Sequence, residues 1–211
     1  MPRRARRRPT PLAAARSAAD PLDGPSGSLT LPDGRRLHVQ TVSQAKGRDE
    51  GIKAADDAAR KEGRDLGGWT GGLVWESGEI LARTLMSCRE LVVGQRCLEL
   101  GTGCGLVGLT AGALGAAEAY LTDNVTFMAE ANLQANFGGD AEALARIRTV
   151  RLRWGDDGDM RGVLGDGPFD LLLGSVILYH KESYVDLANT LDALSRPGTV
   201  VLWATPDGAP E

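Results

Sequence analysis

The chain has 211 residues, of which 42% are hydrophobic and 25% charged, and a net charge of −4. That is enough for one domain with a real core, and the acidic balance argues against a general nucleic-acid binder. No apolar run reaches the ~18 residues of a membrane span, and Cys88, Cys97 and Cys104 form no C-x-x-C pair, so neither a disulfide framework nor a zinc site is expected.

Residues 1–28 stand apart by composition. Arg3, Arg4, Arg6, Arg7, Arg8 and Arg16 come with no acid before Asp20, a pattern too polar to bury a core, so a disordered basic tail is expected. A nuclear-localisation-like patch and an organellar transit peptide are the other readings. Residues 29–211 form the expected domain. Leu29 to Thr41 reads as a hairpin around Pro32-Asp33-Gly34. Residues 43–68 are polar and glycine-rich, which predicts a mobile insertion. Ser77 is placed to cap a helix over Gly78 to Leu91 that buries Ile80, Leu81, Thr84, Leu85 and Cys88.

The chemistry is concentrated at Arg96-Cys97-Leu98-Glu99-Leu100-Gly101-Thr102-Gly103-Cys104-Gly105-Leu106-Val107-Gly108. An apolar run with one acid predicts a buried strand, the alternating glycines a tight turn, and the residues that follow a packed helix. Strand, glycine turn and helix opening form the nucleotide-binding end of a βαβ unit. Gly103 to Gly108 fits G-x-G-x-x-G by letter, which keeps a nicotinamide-dependent oxidoreductase in view. A glycine turn without a ligand is the plainer competitor, and the missing G-x-x-x-x-G-K-[ST] run excludes a P-loop.

Glu118 to Asp123 predicts a second strand with Asp123 at its carboxyl end, where an acid takes ribose hydroxyls or caps a helix. The next helix, about Val125 to Phe137, carries Asn132 and Asn136 at i, i+4; asparagine inside a helix needs a partner, here expected to be backbone near the site. Ile147 to Trp154 alternates as a third strand, and Asp156, Asp157 and Asp159 lack calcium-loop spacing and read as a solvated loop. Phe169 to His180 is the fourth strand and its exit, Glu182 to Leu194 an amphipathic helix, and Thr199 to Ala204 the fifth strand. With only two histidines, no His-based metal site is expected.

Glu99 ahead of Gly101, Gly103 and Gly105 resembles motif I of the seven-strand S-adenosylmethionine-dependent methyltransferases. Gly71-Gly72-x-x-Trp75-x-x-Gly78, Trp154-Gly155 and the segment Ser175 to Tyr179 resemble the D-x-x-Y protein-lysine methyltransferase branch, methyltransferase family 16. The resemblance implies an α/β fold of the Rossmann-like seven-strand methyltransferase kind, with a mostly parallel sheet in the order 3-2-1-4-5 and without the final helix and antiparallel β-hairpin. It implies S-adenosyl-L-methionine as cofactor, held by Glu99, Gly101, Thr102, Gly103 and Asp123 and lined by Trp75, Trp154 and Ser175. Tyr179 would face the amine of a protein lysine. The motif aspartate is replaced by Val176. The implied activity is therefore methylation of a protein lysine in the cytoplasm, or in the nucleus or an organelle if the arginines are an address. A catalytically impaired cofactor-binding protein is the alternative. Neither nucleic acid nor membrane is an expected partner, and an open apolar edge after Ala204 would favour self-association.

Overall fold

A computed structural model describes residues 27–41, 71–165, 167–178 and 180–206. The expected insertion and almost all of the expected basic tail lie outside them. The hairpin reaches two residues into the expected tail: Gly27 and Ser28 already belong to it, because the Gly27 carbonyl accepts the Val39 N–H at 2.8 Å and Ser28 pairs with His38.

That hairpin is β1 (Ser28–Thr30) and β2 (Arg36–His38). Its turn closes where Gly34 N–H reaches the Leu31 carbonyl at 2.9 Å. Leu29, Leu31, Leu37 and Val39 are buried, so the hairpin is part of the core rather than an appendage.

Helix α1 (Glu76–Ser87) follows. Its N-cap is Trp75, extended at φ −92° and ψ 146°, and no side chain caps it. Ser77 is instead inside the first turn and buried, because the Trp75 carbonyl already takes the N–H groups of Gly78 and Glu79. The packed face is Leu81, Ala82 and Leu85; Ile80, expected on it, is exposed. The helix stops at Ser87, and Arg89–Leu91 form a separate 3-10 turn.

The remaining elements alternate strand and helix. They are β3 (Arg96–Leu100), α2 (Leu106–Leu114), β4 (Glu118–Asp123), α3 (Phe127–Phe137), α4 (Ala141–Arg146), β5 (Ile147–Arg151), α5 (Asp157–Val163), β6 (Leu171–Ser175), α6 (Tyr184–Leu194) and β7 (Val200–Ala204). The five later strands are all parallel, in the order β5-β4-β3-β6-β7. Counted within that sheet this is the expected 3-2-1-4-5. Helix α4 has no counterpart in the sequence reading: its six residues are too few to establish a period. The acids at 156–159 are not a solvated loop. Asp156 caps α5 by accepting the Asp159 N–H at 2.9 Å, as an acid at a helix start does.

Alternation along the strands divides the core into two layers. Cys97, Ala119, Leu121, Ile147, Leu171 and Leu173 face the hairpin, α1, α2 and the buried side of α3. Leu98, Leu100, Tyr120 and Leu172 face α5 and α6 on the other side. Helix α2 is buried on every residue, and it lies close to the sheet because two of its positions are glycine. A methyl group on Gly108 would sit 2.6 Å from Leu121 Cγ, and one on Gly112 only 2.4 Å from Ile147 Cδ1. The topological switch, where the chain crosses from one side of β3 to the other, lies between β3 and β6. Ligands of open α/β sheets bind beyond the strand ends at that place.

Candidate active site

Glu99 occupies the last-but-one position of β3 and is only 2% exposed. Strand alternation turns it to the α2 side with Cys97. There its Oε2 accepts the Thr102 hydroxyl at 2.5 Å and the Gly108 N–H at 2.8 Å. Glu99 thus closes the glycine turn on itself and satisfies a first-turn amide of α2. Burial pushes its carboxyl up to about 8, although the Thr102 and Gly108 bonds pull the other way, and the neighbouring charge of Asp123 adds to the rise.

The turn needs its glycines. Gly101, Gly103 and Gly105 have φ of +65°, +54° and +90°, a region L side chains rarely adopt. At Gly103 space forbids a side chain as well, since a methyl group would lie 2.6 Å from the Gly71 carbonyl oxygen. Asp123 ends β4 and reaches across: its Oδ2 accepts the Gly103 N–H at 2.9 Å and its Oδ1 the Val125 N–H at 3.2 Å. It is not the helix cap, because α3 begins later, with Thr126 as N-cap. Burial raises its carboxyl above the usual carboxylate range, against the backbone N–H bonds of Gly103, Val125 and Asn124. Burial, first of all, also pushes the Cys104 thiol up to about 12, with the Asp123 and Glu99 charges adding to it, which leaves it an inert thiol in the turn.

These groups open onto one cavity of about 830 Å³, within the size range of small-molecule sites. Trp75, Glu99, Gly101, Thr102, Gly103, Asp123, Trp154 and Ser175 all line it. The structure therefore gathers every cofactor residue picked from the sequence into one space. Tyr179 lies outside the described residues. Val176 lines the cavity too, and its φ of +52° is the left-handed conformation, which is costly for a β-branched side chain. It is held there on the main chain, where its N–H donates to the Ala204 carbonyl at 3.0 Å.

Sequence reading did not place Asp156, Asp186 or Ile177 at the site, and they share the lining, as does Gly71 of the Gly71-Gly72 segment. Asp186 comes from α6, over 80 residues after the motif, and its carboxylate packs on Gly155, where a methyl group would sit 2.7 Å from Oδ1. No spacing rule links such positions. Gly155, at φ +76°, was the one available signal.

The charges of the lining say what could bind. Asp123, Asp156 and Asp186 are acids, while the raised Glu99 carboxyl keeps its proton at neutral pH; Arg153 is engaged by Asp159 at 2.7 Å and Asp156 at 3.0 Å. A pyrophosphate needs free first-turn amides and a positive surround. Here a buried carboxyl already holds the Gly108 N–H, so the letter match to a dinucleotide site lacks its physical basis.

The profile of the lysine methyltransferase family matches residues 59–207, well over half of the chain. The chain belongs to the lysine methyltransferase family. Among its relatives, protein N-lysine methyltransferase METTL21A of Danio rerio is 34% identical over 133 residues, covering 62% of this chain and 58% of the fish protein. Protein N-terminal and lysine N-methyltransferase EFM7 of Candida glabrata is 32% identical over 141 residues, covering 64% and 55%. Calmodulin-lysine N-methyltransferase of Arabidopsis thaliana is 32% identical over 129 residues, covering 57% and 39%. The chain thus spans less than two thirds of the length of these relatives. Among solved structures, a ribosomal protein L11 methylase from Lactobacillus delbrueckii subsp. bulgaricus superposes with a TM-score of 0.46 at 21% identity, covering 62% of this chain and 61% of that one.

Proposed function

We propose that this lysine methyltransferase-family chain transfers a methyl group from S-adenosylmethionine to a lysine side chain of a protein. The observation that carries the reading is the acid-closed glycine turn: Glu99 on Thr102 and Gly108, and Asp123 on Gly103, in the lining of one cavity. The fit is chemical as well as spatial. S-adenosylmethionine brings an ammonium, a carboxylate and a sulfonium, a net positive charge with no phosphate, and an acidic lining suits it where it would repel a dinucleotide. The left-handed glycines leave the turn without side chains, so a ligand can approach the main chain itself.

Bound there, the cofactor supplies an electrophilic methyl group on a positive sulfur. The protein supplies position. Asp123 keeps acceptor capacity beyond its three backbone N–H bonds and is assigned the ribose hydroxyls. Trp154 is assigned the adenine face, and its ring lies 3.8 Å from where a methyl group on Gly101 would stand. Trp75 and Ser175 line the side toward α1, where Ser175 Oγ would meet a methyl group on Gly78 at 3.3 Å. Tyr179 is assigned to the acceptor amine on the family resemblance, and Tyr179→Phe tests that assignment. The amine must be neutral to attack, while free lysine has a pKa near 10.4; orienting it as its proton leaves is the remaining task.

The test is calorimetry with S-adenosylhomocysteine, S-adenosylmethionine and NAD, followed by transfer of labelled methyl groups to protein fractions. Binding of the first two and label on lysine is the expected result; binding of NAD alone would overturn the reading. A second reading, a cofactor binder with weak catalysis, is favoured by Val176, which presents no polar atom to an amine. Tight cofactor binding without label transfer would select it.

A further inference from the structure

Asn132 and Asn136 lie one turn apart on α3. Asparagine is a poor helix-interior residue, and both are engaged with the main chain of the hairpin. Asn136 Oδ1 accepts the His38 N–H at 2.8 Å, and its Nδ2 donates to the His38 carbonyl at 2.7 Å. Asn132 repeats the pattern two residues on: Oδ1 accepts the Gln40 N–H at 2.8 Å, and Nδ2 donates to the Gln40 carbonyl at 3.0 Å. A side-chain amide carries the donor and acceptor of a peptide group. Four helix residues rise about 6.0 Å and two strand residues about 6.6 Å, so the two side chains match the spacing of a strand. They stand in for a neighbouring strand along the edge of the hairpin.

Asn132 makes one contact more. Its Nδ2 also donates to the Cys104 carbonyl at 2.8 Å, and the residue is 0% exposed. Cys104 is the middle of the glycine turn. On one side Gly103 gives its N–H to Asp123; on the other Gly105 packs on Ala129 of α3, whose Cα would be 3.4 Å from a methyl group there. Asn136 has no bond to the turn; its third bond runs to the Asn132 carbonyl at 2.7 Å.

We infer that Asn132 is a positioning residue: it holds the glycine turn from behind and couples the shape of that turn to docking of the N-terminal hairpin. The hairpin thereby becomes part of the ligand site's support although it does not line the cavity. The ligand arm of the test rests on the function proposed above; the coupling itself does not.

Hydrogen exchange read by mass spectrometry on peptides spanning 27–41 and 101–109 is the experiment, with wild type, Asn132→Ala, Asn132→Asp and Asn136→Ala. Asn132→Asp keeps the shape but removes both donors. The expected result is faster exchange in both peptides for the two Asn132 variants and in 27–41 alone for Asn136→Ala. In parallel, S-adenosylhomocysteine affinity falls about tenfold in Asn132→Ala, the worth of one buried hydrogen bond, and is unchanged in Asn136→Ala. Protection of 101–109 that is equal in wild type and both Asn132 variants would overturn the inference. If neither Asn132 variant folds, Gln40→Pro removes a hairpin donor while leaving Asn132 in place: faster exchange over 101–109 supports the coupling, unchanged exchange overturns it. A wild type that binds no S-adenosylhomocysteine overturns the proposed ligand, and the exchange comparison still decides the coupling.

Discussion

On the β3–β4 side of the switch point, both strand-end acids are closed by hydrogen bonds. Glu99 holds the turn and α2; Asp123 holds Gly103 and Val125. On the β6–β7 side the strand exit is apolar and strained. Val176 sits in the left-handed region, and Val200, Val201 and Trp203 of β7 remain 36–40% exposed, with no described strand on the outer edge. The difference teaches where preorganisation is placed. The half built on β3 and β4 has its polar groups aimed in advance, and the half built on β6 and β7 carries backbone strain at Val176.

The sharpest way to break this contrast is Asp123→Ala. It removes the acceptor proposed for two ribose hydroxyls and frees the Gly103 N–H, so S-adenosylhomocysteine binding is expected to weaken by about 2–4 kcal/mol, each charge-assisted bond contributing ~1.5–3 kcal/mol. Unchanged affinity by calorimetry would mean the β4 end is structural only.

Next comes the other half. Val176→Asp adds a polar group where the family carries one, and aspartate tolerates the left-handed conformation better than valine. Single-turnover methylation is expected to rise ~10–1,000-fold, as one well-placed contact contributes about 1.4–4 kcal/mol to a transition state. Cofactor affinity should stay unchanged and the melting temperature should not fall. A slower variant would show that the apolar wall suits the true acceptor.

Packing under the turn gives a smaller effect. Gly108→Ala puts a methyl group 2.6 Å from Leu121 Cγ and 2.9 Å from Glu99 Oε2, an overpacking that costs about 1–3 kcal/mol in denaturant unfolding. A neutral result would mean that α2 can slide off the sheet at no cost.

A pH dependence bears on the same half. The Glu99 carboxyl is raised in the folded state from its usual 4.5 to about 8. The native state therefore holds a proton that the unfolded chain has lost, and this group's contribution to stability fades as pH rises from about 4.5 through about 8. Binding a cation draws that proton off, so affinity for S-adenosylmethionine should rise between pH 6 and 8, by less than tenfold per pH unit, and level off above. Glu99→Gln should flatten both profiles; a slope that survives it would assign the titration elsewhere.

Much of this site was legible before any coordinates. Glu99, the glycines and Asp123 announce themselves because a buried strand, a left-handed turn and a strand-end acid each demand particular residue types within a few positions. The same locality failed at Ser77, where the Trp75 carbonyl pre-empted a side-chain cap, and at the acids after Trp154, where one residue proved to be a cap rather than part of a solvated run.

The sequence by itself determined the order of the strands, the parallel sheet and the glycine turn after β3, because periodicity and glycine placement act over short range. Only the tertiary structure decided that Asp186 of α6 reaches Gly155, that Asn132 joins the hairpin to Cys104, and that Val176 is twisted by a bond to Ala204. Each of these joins residues brought together by the sheet's crossovers, and contact between distant segments depends on how whole layers pack, which no local pattern of residues encodes.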